Sequence, residues 1–358
     1  MSAPRTLMIM AGGTGGHIFP ALSVADYVRA QGWKVVWLGS RAGMEARIVP
    51  PRGYDMAWIR FSGVRRSGLL PMALLPLNLL IAFWQSARAI FAHRPDVVLG
   101  MGGYVAFPGG MMASLLNRPL ALHEQNSIAG LSNRVLSHVA DKVMVAFPGA
   151  FGERSKAEWT GNPVRQDIAA VAPPEQRYAQ RSGPLRLLVL GGSQGAAILN
   201  EVVPKAMALV ATASRPQVVH QSGAAHIATV RVNYERARVQ AEVIAFVDDM
   251  AARYAEADLL ICRAGASTIA ELAAAGVPAV LIPFPYAVDD HQTHNARFLS
   301  ERGGAVLIPQ SELTPEKLAG LLAQLDREKL LAMARAARAA AKPDATRAVA
   351  EACMRLAA

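Results

Sequence analysis

Thr6-Leu-Met-Ile-Met-Ala11 runs without a break into Gly12-Gly13-Thr14-Gly15-Gly16, and this junction decides the fold. A continuous apolar run, rather than an alternating one, is how a parallel strand covered on both faces reads. The glycines let the chain turn tightly before a helical segment. The same succession recurs 179 residues on, where Leu187-Leu-Val-Leu190 leads into Gly191-Gly192-Ser193-Gln194-Gly195. Each half thus opens with strand, glycine loop and helix. Further short apolar runs at 35–38, 97–99, 120–123 and 142–145 predict strands in the first half. Runs at 218–220, 243–245, 259–262, 279–282 and 305–308 do so in the second. Strands alternating with longer helical segments predict an α/β chain of two doubly wound domains. The pattern breaks at 159–165 around Gly161-Asn162-Pro163, and an Ala/Arg/Leu-rich stretch at 315–357 reads as helices interrupted by Pro343.

Composition agrees. At 358 residues the chain is long enough for about two domains. An apolar fraction of 52% against 18% charged is the opposite of the disordered balance. Two cysteines, Cys262 and Cys353, make no disulfide framework and fit a reducing compartment. The apolar run before Gly12 is too short for a signal-peptide core, so no export is expected. The formal charge of +10 is uneven: residues 1–160 hold sixteen Lys and Arg against eight Asp and Glu, and the remainder is nearly balanced. A positive field on the first half attracts polyanions, whether lipid surface or phosphorylated substrate. Basic runs interleaved with aromatics are missing, so nucleic acid is not expected as a partner.

Between Ser67 and Ala87 no residue is charged. Pro71, Pro76, Asn78 and Gln85 speak against a membrane-spanning helix, since an interior proline costs about 3 kcal/mol. Two readings stand: a buried core helix, or an amphipathic surface helix with Arg60, Arg65, Arg66, Arg88 and Arg94 as a basic rim. In the second, Leu75, Leu79 and Phe83 share a face with Met72, and with Trp84 they dock on a membrane.

The glycine loops do not read as dinucleotide-binding. Counting from Gly13, the third glycine of G-x-G-x-x-G is replaced by Ile18, and Gly39-Ser40 stands where a ribose-binding acid would end the second strand. His17 follows the first loop at the edge where open α/β sheets bind ligands, and can act as a general base. His123-Glu124-Gln125-Asn126 and the turn at Gly102, Gly103 and Tyr104 reach the same edge. In the second half Gly265 makes a turn, Ser267 or Thr268 caps a helix, and Glu271 sits one turn on. Such a helix start suits a diphosphate, and the carboxylate suits ribose hydroxyls. No Asp-x-Asp pair and no Cys/His ligand spacing occurs, so no metal site and no cofactor are expected.

Six motifs, GGTGGH at 12–17, GMGGY at 100–104, HEQN at 123–126, GNPVR at 161–165, GGSQG at 191–195 and RAGASTIAE at 263–271, occur in this order. Together they resemble the MurG family of bacterial peptidoglycan N-acetylglucosaminyltransferases over essentially the whole chain. The resemblance implies a GT-B fold of two Rossmann-like domains facing across a cleft. Residues 1–162 would form an acceptor and membrane-binding domain, 163–340 a UDP-GlcNAc-binding domain, and 341–358 a helix returning to the first. It implies inverting, metal-independent transfer of GlcNAc from UDP-GlcNAc to the C4 hydroxyl of MurNAc in lipid I (undecaprenyl-diphosphoryl-MurNAc-pentapeptide), giving lipid II for the cell wall. Donor residues carried over are Thr14, Gly15, Gly16, Asn126, Arg165, Ser193, Val247, Ala266, Ser267, Thr268, Ile269, Ala270, Glu271 and Gln292. Glu271 would hold ribose, the helix start the diphosphate, the Val247 backbone uracil, and Gln292 the GlcNAc hydroxyls. Gly13, Gly102, Gly103 and Tyr104 would face the acceptor diphosphate. His17 is the candidate base and Glu124 the alternative. His291 departs from the family's paired glutamines, which bears on GlcNAc selectivity. Implied partners are the two substrates, an anionic membrane surface, and proteins of wall synthesis and division. The implied location is peripheral, on the cytoplasmic face of the inner membrane. Rival readings are a non-hydrolysing UDP-GlcNAc 2-epimerase, a Rossmann oxidoreductase, and a binding protein without turnover.

Overall fold

The computed structural model describes residues 4–61, 74–152, 155–192 and 194–358. The chain divides into two compact units: 1–165 with 342–358, and 166–341. Residues 62–73, with Arg65, Arg66 and Met72, lie outside the described residues, as does Ser193.

The first unit holds β1 (Thr6–Met10), β2 (Lys34–Ser40), β3 (Asp55–Ile59), β4 (Val97–Gly100), β5 (Leu120–Glu124), β6 (Lys142–Val145) and β7 (Glu158–Trp159). They form one parallel sheet in the order β3-β2-β1-β4-β5-β6-β7. In register, Leu7 of β1 lies opposite Val35 on one side and Val97 on the other. β1 is buried along its whole length because helices cover both faces. Leu7 and Ile9 enter one core with the helix Gly15–Ala30, whereas Met8 and Met10 enter the other with Ala89 and Ile90. The helix Ala345–Leu356 belongs to this unit. Its Val349, Ala350, Ala352 and Cys353 join the first of these cores, and Thr346 Oγ1 donates to Val164 O at 3.1 Å.

The second unit repeats the plan. It contains β8 (Arg186–Leu190), β9 (Gln217–Gln221), β10 (Ala241–Ile244), β11 (Leu259–Cys262), β12 (Ala279–Leu281) and β13 (Ala305–Leu307), all parallel, in the order β10-β9-β8-β11-β12-β13. In both sheets the order reverses beside the first strand, at β1/β4 and β8/β11. Crevices outside the carboxyl ends at such switch points are where open α/β sheets bind ligands. Pro343 lies between the helices Arg327–Ala339 and Ala345–Leu356, as the interrupted helical stretch predicts.

Two strands escaped the sequence reading. β3 is an edge strand with three of its five residues accessible, and β7 is two exposed residues. The helix Leu75–His93 corrects another expectation. Leu75, Leu79 and Phe83 are half-buried, with the Phe83 ring 6.0 Å from Phe107. Ala82, Ser86, Ala89 and Ile90 are buried. Of the four expected residues only Trp84 faces outward, 62% exposed, and the rest of the outward apolar face is Leu77, Leu80, Ile81 and Phe91. Small residues allow close packing, so they took the inner side of a helix that is apolar nearly all round.

Candidate functional site

In the first unit three loops meet at the carboxyl edge of the sheet, after β1, β4 and β5. Thr14 is extended and exposed, and its carbonyl accepts from His17 N and Ile18 N at the start of the helix Gly15–Ala30. Gly103 has φ +82, and a Cβ there would lie 2.2 Å from Gly12 O. The β4 loop thus presses on the β1 loop so closely that only glycine fits. Tyr104 packs over Gly13 and against Phe61, at 6.4 Å between ring centroids. Burial, and then Glu45, raise its phenol above the ordinary range.

Glu45 was not singled out from the sequence. It is fully buried and accepts hydrogen bonds from Ser40 N (2.9 Å) and Gly13 N (3.1 Å). A carboxylate therefore does return to the end of β2, five residues late, but the protein's own loop uses it. Nothing local in the sequence marks that role.

The HEQN segment divides its work. His123 is completely buried, with Nε2 2.9 Å from Gly161 O, and burial pushes its imidazole down to about 4. Glu124 is 2% exposed. Its Oε1 accepts from Asn126 N and Nδ2, and its Oε2 from Gly130 N and Asn133 Nδ2. That makes it a brace for the loop rather than a group open to a substrate proton. Gln125 carries Oε1 to within 2.9 Å of His17 Nδ1. His17 and Asn126 are partly exposed at this rim, and Arg165 is partly exposed where the first unit's chain ends.

The second unit builds a similar rim. Gln221 accepts from Gly192 N (3.1 Å) and donates to Gly192 O (2.8 Å) and Ala245 O (3.3 Å), tying the loop after β8 to that after β10. In the latter, Val247 is buried and Phe246 exposed. After β11 the helix Ala266–Ala275 starts with Gly265 as its N-cap, extended and with no side-chain cap. Ser267 and Thr268 consequently lie inside the first turn, not at the cap, which corrects the sequence expectation. With no capping side chain, the N-terminal dipole faces the rim. The other end is anchored: Arg177 donates to Ala275 O and Gly276 O, and Arg338 to Ala274 O. Burial lowers the Arg177 guanidinium to about 10, still charged at neutral pH.

Along the same helix, Ile269 is buried and Ala270 half-buried, and Glu271 receives the Tyr254 hydroxyl at 2.8 Å. Gln292 Oε1 accepts from Ala264 N (3.2 Å) and Phe284 N (3.0 Å), and its amide nitrogen takes no part in those bonds. His291 Nδ1 turns back to Val288 O at 2.7 Å. Among the described residues no three His, Cys, Asp or Glu side chains gather in a way that could hold a metal.

Two doubly wound parallel sheets, each with glycine loops and a helix N-terminus at its switch point, give the chain the architecture of the GT-B glycosyltransferases. Residues 7–145 match the glycosyltransferase family 28 N-terminal domain, and 186–349 the family 28 C-terminal domain. The chain belongs to glycosyltransferase family 28. It is 61% identical over 357 residues to the UDP-N-acetylglucosamine–N-acetylmuramyl-(pentapeptide) pyrophosphoryl-undecaprenol N-acetylglucosamine transferase of Cupriavidus necator, covering 100% of this chain and 99% of that one. It is 58% identical over 352 residues to the transferase of the same name from Nitrosospira multiformis, covering 98% and 99%. The crystal structure of Acinetobacter baumannii MurG superposes with a TM-score of 0.86 at 40% identity, over 98% of this chain and all of the other.

Proposed function

We propose that the protein transfers N-acetylglucosamine from UDP-GlcNAc to the C4 hydroxyl of MurNAc in lipid I, releasing UDP and forming lipid II. The observation that carries this reading is 61% identity, sustained over the whole chain, with a transferase named for that reaction. The C4 oxygen attacks the anomeric carbon opposite the diphosphate, and the bond from that carbon to the diphosphate oxygen breaks. UDP leaves with the electron pair, and the configuration inverts from α to β. The hydroxyl proton needs an acceptor within hydrogen-bond reach. His17 is that acceptor, because both Glu124 oxygens already serve the protein's own N–H groups.

The second unit holds the donor. Glu271, steadied by Tyr254, accepts from ribose hydroxyls, and the uncapped helix start at Ala266 receives the diphosphate. The Val247 backbone meets uracil. The amide nitrogen of Gln292, whose oxygen is occupied, donates to the sugar. Gly13, Gly102, Gly103 and Tyr104 in the first unit serve the acceptor diphosphate.

The lipid-linked acceptor calls for a membrane surface. By length and composition Leu75–His93 could cross a bilayer, with a mean hydropathy of 1.2. Its buried side at Ala82, Ser86, Ala89 and Ile90 is already used by the first unit's core, so it lies on the surface. Leu77, Leu80, Ile81 and Trp84 enter the headgroup region, and Arg88 beside Trp84 meets anionic lipid. In this reading the protein is peripheral, on the cytoplasmic face of the inner membrane. The test is transfer of radiolabelled GlcNAc to a short-chain lipid I analogue, with and without EDTA. Lipid-linked product in both supports metal-independent transfer. Conversion of UDP-GlcNAc to UDP-ManNAc without such product would assign the chain to epimerisation instead.

A further inference from the structure

Three side chains behind the first rim form a hydrogen-bonded row with a readable direction. Its far end is the Gly161 carbonyl, which can only accept. His123 Nε2, 2.9 Å away, therefore carries the ring proton. His123 is fully buried and its imidazole is pushed down to about 4, so at neutral pH it holds one proton and its Nδ1 is an acceptor. Facing that Nδ1 at 3.1 Å is Gln125 Nε2, which also lies 3.1 Å from the His123 carbonyl oxygen and 3.9 Å from Met101 Sδ. Three acceptors around one end of an amide make that end the NH2. The reversed amide would set oxygen against oxygen and leave its nitrogen facing His17. The other end, Oε1, is consequently an acceptor 2.9 Å from His17 Nδ1.

We infer that Gln125 is a positioning residue that fixes His17 as its Nδ1–H tautomer, so that Nε2 presents the lone pair. This rests on the reading of His17 as proton acceptor and says which of its atoms accepts. In the transfer the C4 hydroxyl proton moves to Nε2, and the resulting imidazolium still donates from Nδ1 to Gln125. The partner is a neutral amide rather than a carboxylate, so it orients the ring without adding a charge that would hold the imidazolium. Gln125 itself is 1% exposed, so it acts through His17 rather than by contact with a substrate. Its orientation depends on His123, two residues back on β5, and through it on the Gly161 turn, whose glycine has φ +82.

The experiment uses the full chain labelled with 15N-histidine, with His17 assigned through a His17→Asn variant. Long-range 1H–15N correlations are recorded over a pH series and read where the imidazole is neutral. A protonated Nδ1 and an unprotonated Nε2 are expected in the wild type; protonated Nε2 there overturns the inference. Gln125→Leu, of similar volume but without the amide, should release His17 to the Nε2–H form preferred in water. It should lower kcat about 10²-fold. KM for UDP-GlcNAc and the affinity for UDP should stay within about twofold, which a general loss of structure would not allow. An unchanged tautomer or kcat in that variant overturns the positioning role. Should Gln125→Leu fail to fold, the wild-type tautomer still decides. The tautomer is read without turnover, so absence of lipid II would count against the transferase reading and leave this one to stand or fall by the spectrum.

Discussion

Acid should loosen both units over the same pH window, because each buries one neutral histidine. His123 in the first and His220 in the second are fully buried, and burial pushes both imidazoles down to about 4. His220 is held between Tyr234 Oη (2.9 Å) and Asn200 Oδ1 (3.0 Å). In the unfolded chain a histidine titrates near 6.5. Below that pH the unfolded state binds a proton that the folded state refuses, so stability falls as pH drops from about 6.5 to about 4. Each pH unit is worth about 1.4 kcal/mol, so the loss per unit of structure is roughly 2 kcal/mol by pH 5 and roughly 3 kcal/mol by pH 4. That is a large share of a domain's usual 5–15 kcal/mol. His93, also lowered by burial, adds to the first unit in the same direction.

The sequence supplies separate probes. All five tryptophans (33, 37, 58, 84 and 159) lie in the first unit, and buried Cys262 lies in the second. Urea titrations at pH 7, 6 and 5 would follow tryptophan fluorescence for one unit and mass-spectrometric labelling of the Cys262 thiol for the other. His220→Gln should start less stable at pH 7 but flatten the second unit's pH dependence. A wild-type stability constant within about 0.5 kcal/mol from pH 7 to pH 5, or an unaltered slope in His220→Gln, would refute the reasoning.

Glu45→Ala leaves Ser40 N and Gly13 N without their acceptor and should cost the first unit about 2–6 kcal/mol, read by tryptophan fluorescence in urea. Glu271→Ala should weaken UDP and UDP-GlcNAc alike, about 10- to 100-fold by calorimetry, since ribose is common to both. Unchanged UDP affinity would remove the ribose assignment. Leu80→Glu with Trp84→Glu changes two exposed side chains and should cut binding to anionic vesicles at least about tenfold while UDP affinity holds. Binding that survives both charges would place the membrane dock elsewhere.

Central strands were legible because being covered on both faces forces a continuous apolar run; β1 and β11 are buried end to end. β7 was not, because two residues carry no pattern, and β3, though apolar from Met56 to Ile59, sits at the sheet edge with only Ala57 and Ile59 buried, so its run does not mark a strand covered on both faces. Where the glycine loops fall, and that His17 stands beside one, could be read from order alone. The outward face of Leu75–His93 could not. Counting apolar residues has no direction when nearly all are apolar, and the deciding feature was the smallness of Ala82, Ser86 and Ala89. Glu45 and Gln125 were illegible as partners of the rim for a different reason. Each is a single polar residue whose role exists only once Gly13, His17 and His123 have been brought to it from elsewhere in the chain.

The helix Ala345–Leu356 has a consequence for the order of assembly. Unit 1 is interrupted by the whole of 166–341, yet its core includes Val349, Ala350, Ala352 and Cys353. At 5–20 residues per second, a ribosome takes on the order of 10–35 s to make the intervening unit. The usual amino-to-carboxyl succession of folding is therefore inverted. The second unit can close while the first still waits, with Leu99 and Ala121 on its central strands not yet joined by that helix. A chain truncated near residue 341 and released carries one finished unit and one open apolar face, and that face is what a chaperone would meet.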